Sequence, residues 1–276
     1  MSKLTPFVDF GGQGEMIHLA HANGFPPKTY QKLIDKLTPH YRVIGMEARP
    51  LWPNSKFEDF KSWREGADDL IRFMDEQGLS NIIGIGHSFG AVCTLIAANK
   101  RPDLFKKLVL IEPVVLPKWY YLFIPFTPDF LLREINPIVK NTLVRTDKWP
   151  NREAAYRQFR KNRLFANTDD AELWDYVNSG ISPNQNGGVS LTYSKEWEAK
   201  IYMTITDPWR EMKRLKQPFV VLKGETSDTI FPSVWKKLKV SNPKGNFIEI
   251  LDTGHIVPLE KPNEVAETLR TFLNSN

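Results

Sequence analysis

Ser88 stands at the centre of Gly86-His87-Ser88-Phe89-Gly90, a G-x-S-x-G pattern. An apolar run, NIIGIG, precedes it and another, FGAVCTLIAANK, follows. The first reads as a buried strand, and the second as a helix that stops at Arg101-Pro102. A serine at so sharp a strand-to-helix join is lifted clear of the sheet. The first N–H groups of the helix then face whatever it attacks. Glycine two positions either side avoids collision with the neighbouring strand and helix.

A serine hydroxyl is a weak nucleophile until a base takes its proton. Of the five histidines, His18 and His21 fall on or at the end of an early strand, His40 in a helix–strand loop and His87 inside the pattern itself. His255 lies in LDTGHIVPLEKP, a loop between the last strand and the last helix. Such loops collect at the carboxyl edge of a parallel sheet, where Ser88 also sits, so His255 is the candidate base. Its imidazole needs a carboxylate to orient it and to stabilise its charged form. Asp252 is too close in sequence. Asp228, in the loop VVLKGETSDTIFP, is preferred because the small Thr226 and Ser227 before it give a short carboxylate freedom to reach. Glu112, at the end of LVLIEP, is the alternative. Pro113 follows it at once, so it can equally anchor a crossing of the chain. Two main-chain amides complete the set: Phe25 N–H in LAHANGFPP and Phe89 N–H directly after the serine, an oxyanion hole for a developing negative charge.

The elements that must hold these residues alternate. Strand-like EMIHLAHA, YRVIGME, NIIGIG and KKLVLIEP are separated by helix-like PPKTYQKLIDKL, FEDFKSWREGADDLIRFMDEQG and FGAVCTLIAANK. Downstream come PFVVLKG, PSVWKKL, NFIEILD and a final amphipathic KPNEVAETLRTFL. This is the pattern of an α/β fold, a mainly parallel sheet of about eight strands with helices on both faces. Between residues 117 and 206 the alternation stops. That stretch is aromatic over 119–126 and holds a basic amphipathic helix candidate, NREAAYRQFRKNRLF. It reads as a helical cap inserted into a core made of residues 1–116 and 207–276. The aromatics can form the cap's own core or line a pocket. From residue 140 to 163 eight Lys or Arg face two acids, Asp147 and Glu153, a pattern that suits a solvated helix face or an anionic partner.

Composition narrows the classes. The chain has 276 residues, 41% hydrophobic and 25% charged, with a formal net charge of +5. That is ordinary for a soluble protein and lacks the concentrated basic stripe of a nucleic-acid binder, so no nucleic-acid partner is expected. One cysteine, Cys93, allows no intrachain disulfide. The N-terminus lacks the basic-then-apolar order of a signal peptide, and no run is long enough to span a bilayer. A cytoplasmic location is the expectation. Surface contact with lipid stays open, as does the oligomeric state.

Taken together, HANGFPPKTY, GHSFG, GETSD and DTGHIVPLEKPNEVA make the chain resemble the α/β-hydrolase superfamily over nearly its whole length, in the serine-nucleophile branch with a lipase- or esterase-like helical cap. The chain order Ser88, Asp228, His255 is the family's order. Two departures stand out. Where many members carry Asp-x-Arg-Gly-x-Gly-x-Ser, this chain has Glu47-Ala48-Arg49-Pro50-Leu51-Trp52-Pro53. Asp228 lies four residues after Gly224 rather than three. The resemblance implies a serine hydrolase that cleaves a carboxylic ester, of an apolar or lipid acyl group, through an acyl-enzyme. A carbon–carbon bond hydrolase or acyltransferase would use the same triad, and a non-catalytic binding protein on this fold would have no need of all three residues. No metal or cofactor is expected; the partner is a small-molecule ester or acyl substrate.

Overall fold

The computed structural model describes residues 4–123, 127–185 and 187–274. Residues 124–126 of the aromatic run and residue 186 of the later loop lie outside them. The first half of the chain lays down β1 (Phe7–Gly11), β2 (Glu15–Ala20), α1 (Gln31–Leu37), β3 (Tyr41–Met46), α2 (Trp63–Glu76), β4 (Ile82–His87), α3 (Phe89–Lys100) and β5 (Phe105–Ile111). An insertion follows: α4 (Lys118–Phe123), α5 (Asp129–Ile135), α6 (Pro137–Val144), β6 (Lys148–Trp149), α7 (Arg152–Arg160), α8 (Asp170–Gly180), β7 (Ile181–Pro183), β8 (Val189–Leu191) and α9 (Lys195–Met203). Helix α10 (Trp209–Arg214) returns the chain to β9 (Phe219–Gly224), α11 (Pro232–Ser241), β10 (Asn246–Ile250), α12 (Val257–Glu260) and α13 (Pro262–Asn274).

Among the described residues the main sheet has seven strands in the order β1-β3-β2-β4-β5-β9-β10, in keeping with the expected α/β architecture of about eight. Only β1 runs antiparallel, against β3. The central strands are buried on both faces and read as continuous apolar runs, as a parallel sheet requires. Their side chains alternate: Leu108, Leu110 and Val221 pack with α2, α3 and α11 in one core, while Val109, Ile111 and Leu222 pack with α1 and α13 in the other. The strand order reverses between β2 and β4, which leaves a crevice at their carboxyl ends.

Several boundaries differ from the sequence reading. The segment expected as one helix from Phe57 makes a 3-10 turn over Phe57–Asp59, and the α-helix starts at Trp63 with Ser62 accepting from Arg64 N–H as its cap. Strand β1, unread in the sequence, is an edge strand with a partly exposed face. The insertion is mostly helical but also holds a small separate sheet, β6-β8-β7, whose strands are too short to show a period-two pattern. No helix among the described residues is long and apolar enough to cross a membrane.

Candidate active site

Ser88 sits in the turn between β4 and α3 with φ 55° and ψ −115°, a strained conformation for a non-glycine residue. The flanking glycines are required by contact. A Cβ on Gly86 would lie 2.5 Å from Ala91 Cα, and one on Gly90 would lie 2.2 Å from the Ala20 carbonyl oxygen. The turn is held by Ser88 N–H donating to the Ile111 carbonyl at 2.9 Å, which ties the nucleophile to the end of β5.

His255 Nε2 lies 3.0 Å from Ser88 Oγ, and His255 Nδ1 lies 3.0 Å from Glu112 Oε2. The carboxylate can only accept, so Nδ1 carries the proton and Nε2 is free to receive one from the serine. The imidazole side chain is 22% exposed, while Glu112 is fully buried. Glu112 is also at positive φ, 47°, at the end of β5, with its N–H bound to the Leu222 carbonyl at 2.8 Å.

This geometry corrects the preferred acid. The acceptor at His255 is Glu112, and Asp228 is exposed at the wall of the neighbouring cavity. The reason is local. Strand β5 lies beside β4, so a side chain at its end reaches the space next to Ser88 directly. In the loop after β9 it is Ser227 that turns inward, while Asp228 is exposed. Ser227 donates its hydroxyl to Glu112 Oε2 at 2.6 Å, and Gly224 N–H donates to Oε1 at 2.6 Å. The loop read as the source of the acid therefore supplies the groups that hold it.

The two amides are placed differently. Phe89 N–H opens α3, where backbone donors have no partner within the helix. Phe25 lines the same cavity, but its N–H donates to the Ala22 carbonyl at 3.2 Å across a turn. This donor is therefore already engaged within its own turn.

The cavity beside Ser88 and His255 has a volume of about 520 Å³. Core residues Trp63, Phe89 and Val114 form part of it, and Trp119, Tyr120, Ile138, Leu164 and Tyr202 come from the insertion. Trp119 and Ile138 are 61% and 57% exposed, so they stand at its mouth. Its lining among the described residues contains no lysine or arginine. The aromatic run is thus split, since Tyr121 is buried with its hydroxyl accepting from Leu116 N–H at 2.8 Å. Some of the basic residues of 140–163 are spent internally. Arg145 pairs with buried Glu198 and Arg152 donates to the Ile181 carbonyl. The departing segment after β3 is anchored by Arg49, which bonds Asp69 at 2.8 Å and Glu65 at 2.8 Å on α2.

Further buried groups surround the site. The Arg145–Glu198 pair lies against the turn after β2, where Asn23 Nδ2 donates to the Glu198 main-chain carbonyl at 3.1 Å. Burial holds Glu198 above the usual carboxylate range. His18, His21 and His87 are all buried, and desolvation lowers them to about 3, 4 and 3. Helical or strand periodicity could not single these out; only their polarity inside apolar runs marks them.

Residues 19–268 match a family model described as "Alpha/beta hydrolase family". The chain is similar to "Uncharacterized hydrolase YugF" of Bacillus subtilis, 20% identical over 251 residues that cover 89% of this chain and 85% of that protein. It is 31% identical over 154 residues to "Type I acyl-CoA thioesterase mpaH" of Penicillium roqueforti, a match covering 50% of this chain and 34% of that protein. Among solved structures, E-2-(acetamidomethylene)succinate hydrolase superposes with a TM-score of 0.84 at 17% identity, covering 98% of this chain and 94% of that one.

Proposed function

Since the chain belongs to the alpha/beta hydrolase family, we propose that it is a serine hydrolase that cleaves a neutral carboxylic ester with an apolar acyl group, working through an acyl-enzyme. One observation carries this reading: a hydrogen-bonded line from Ser88 through His255 to Glu112 beside a largely apolar cavity whose lining, among the described residues, holds no lysine or arginine. A substrate carboxylate would find no ion-pair partner there, whereas an alkyl or aryl acyl chain gains by leaving water. On this reading residues 117–206 act as a cap whose α4 and α6 border the entrance.

In the mechanism, Ser88 Oγ attacks the ester carbonyl carbon while His255 Nε2 takes the hydroxyl proton. Glu112 stabilises the imidazolium that results. Phe89 N–H receives the oxyanion, and Phe25 N–H joins it by exchanging the Ala22 carbonyl for the substrate oxygen. His255 then protonates the leaving alkoxide as the C–O bond breaks. Water, deprotonated by His255, releases the acid and restores Ser88.

The test is Ser88→Ala with p-nitrophenyl butyrate as substrate and a fluorophosphonate as covalent probe. The fold should persist, labelling should vanish, and kcat should fall by about 10⁵- to 10⁶-fold, as removing the nucleophile does in other serine hydrolases. Turnover near that of the parent would refute the mechanism.

A further inference from the structure

His87, the neighbour of Ser88 in the elbow, takes no part in acyl transfer, yet both its ring nitrogens are engaged. Nδ1 is 2.8 Å from the Tyr30 hydroxyl, and Nε2 is 3.0 Å from the main-chain oxygen of His255. The Tyr30 hydroxyl in turn lies 3.0 Å from Ala22 N. Tyr30 and His87 are fully buried, and Ala22 nearly so. Water therefore offers these groups no substitute partner.

The protons have one consistent arrangement. A carbonyl oxygen only accepts, so His87 Nε2 carries hydrogen. Burial holds the ring neutral, with a pKa of about 3. Nδ1 is then an acceptor, and the Tyr30 O–H donates to it. The lone pair left on the Tyr30 oxygen receives Ala22 N–H. Every donor and acceptor in the line is used. The Tyr30 ring stands edge-on to the imidazole, 5.8 Å between centroids at 83°, so the ring is held against rotation.

The line joins three pieces of backbone that acyl transfer needs. Ala22 begins the turn that presents Phe25 N–H. His87 precedes the nucleophile. The His255 carbonyl belongs to the base itself. We infer that Tyr30 and His87 are positioning residues, a neutral hydrogen-bond relay that holds the oxyanion turn and the base at one fixed spacing around Ser88. Neutrality matters to the chemistry. When His255 becomes an imidazolium, the ring 5.3 Å away does not compete for its proton. The inference rests on the serine-hydrolase reading for its purpose, but its first test does not.

That test is made on the unaltered protein. With ¹⁵N-labelled histidine at pH 7, His87 should show a proton on Nε2 and a bare Nδ1, its signal assigned by its loss in His87→Gln. A proton on Nδ1 overturns the relay. Kinetics supply the second measurement. Tyr30→Phe keeps the ring and removes the hydroxyl. It should lower kcat by about 10- to 100-fold while KM stays within about twofold, because only transition-state geometry is disturbed. The Tyr30→Phe/His87→Gln double variant should lose no more than its worse single variant, since the two residues act as one unit. Losses that multiply, or a wild-type kcat in Tyr30→Phe, overturn the inference. Should Tyr30→Phe fail to fold, the tautomer decides. Full activity in Ser88→Ala would sink the hydrolase reading and leave the tautomer result standing.

Discussion

Glu112 is placed to do two things at once: end a central strand and face an imidazole. Its carboxylate receives the Gly224 amide and the Ser227 hydroxyl as well as His255 Nδ1. A buried carboxylate so held stays where it is without a shell of water. Glu112→Gln keeps the shape and removes the charge that stabilises the imidazolium. We expect kcat to fall by about 10⁴-fold, as when a triad carboxylate becomes an amide. Asp228→Asn should leave kcat within about twofold, since it alters an exposed group at the cavity wall rather than the acceptor at His255. A steady-state comparison of the two variants checks this, and the opposite ranking would return the role to Asp228. Ser88 and His255 were legible because each sits at a join between elements that local pattern reveals. The choice of carboxylate was not, because both candidates follow strands. It depends on which strand lies beside β4, and sequence order does not state that.

At the scale of elements, the insertion reaches the site through α9. Its Glu198 carboxylate pairs with Arg145, and its main-chain carbonyl receives Asn23 Nδ2 from the turn that carries Phe25. Arg145 is 30% exposed and Glu198 only 8% by side chain. Glu198→Ala strands a half-buried guanidinium. It should cost about 3 kcal/mol, the low end for breaking a buried pair, because Arg145 keeps some water. Urea unfolding measures this, and a loss below about 0.5 kcal/mol, the scale of an ordinary surface change, would show that the pair braces nothing. The sequence shows where strand–helix alternation stops, and α4 to α9 follow β5 in the structure. The brace was not legible, since Asn23 and Glu198 meet only after the whole chain has folded. Short strands such as β6 and 3-10 turns such as Phe57–Asp59 escaped for a different reason: they are shorter than the periods that would reveal them.

Across the whole molecule, three histidines are buried neutral: His18, His21 and His87. Each has a native pKa below its unfolded value, so between about pH 6.5 and 4 the unfolded chain binds the extra protons. Their contribution is present above that window and is lost as pH falls through it. Burial holds Glu47, Glu198 and Glu260 high, and these carry the opposite sign. The histidines alone should remove about 5 kcal/mol between pH 7 and pH 5. Stability from urea melts at pH 7, 6 and 5 should therefore fall. The fall should flatten by about one proton in His18→Gln, whose amide does not titrate. A slope unchanged by that substitution would be the contrary result. The same large-scale arrangement separates chemistry from selection. With the carboxylate seated on β5, the end of β9 and the loop after it hold that carboxylate through Gly224 N–H and the Ser227 hydroxyl, while Asp228, Thr229 and Phe231 face the cavity. Those three positions become an exchangeable gatehouse. A library randomised there alone can be screened for new acyl preferences with the machinery behind it untouched.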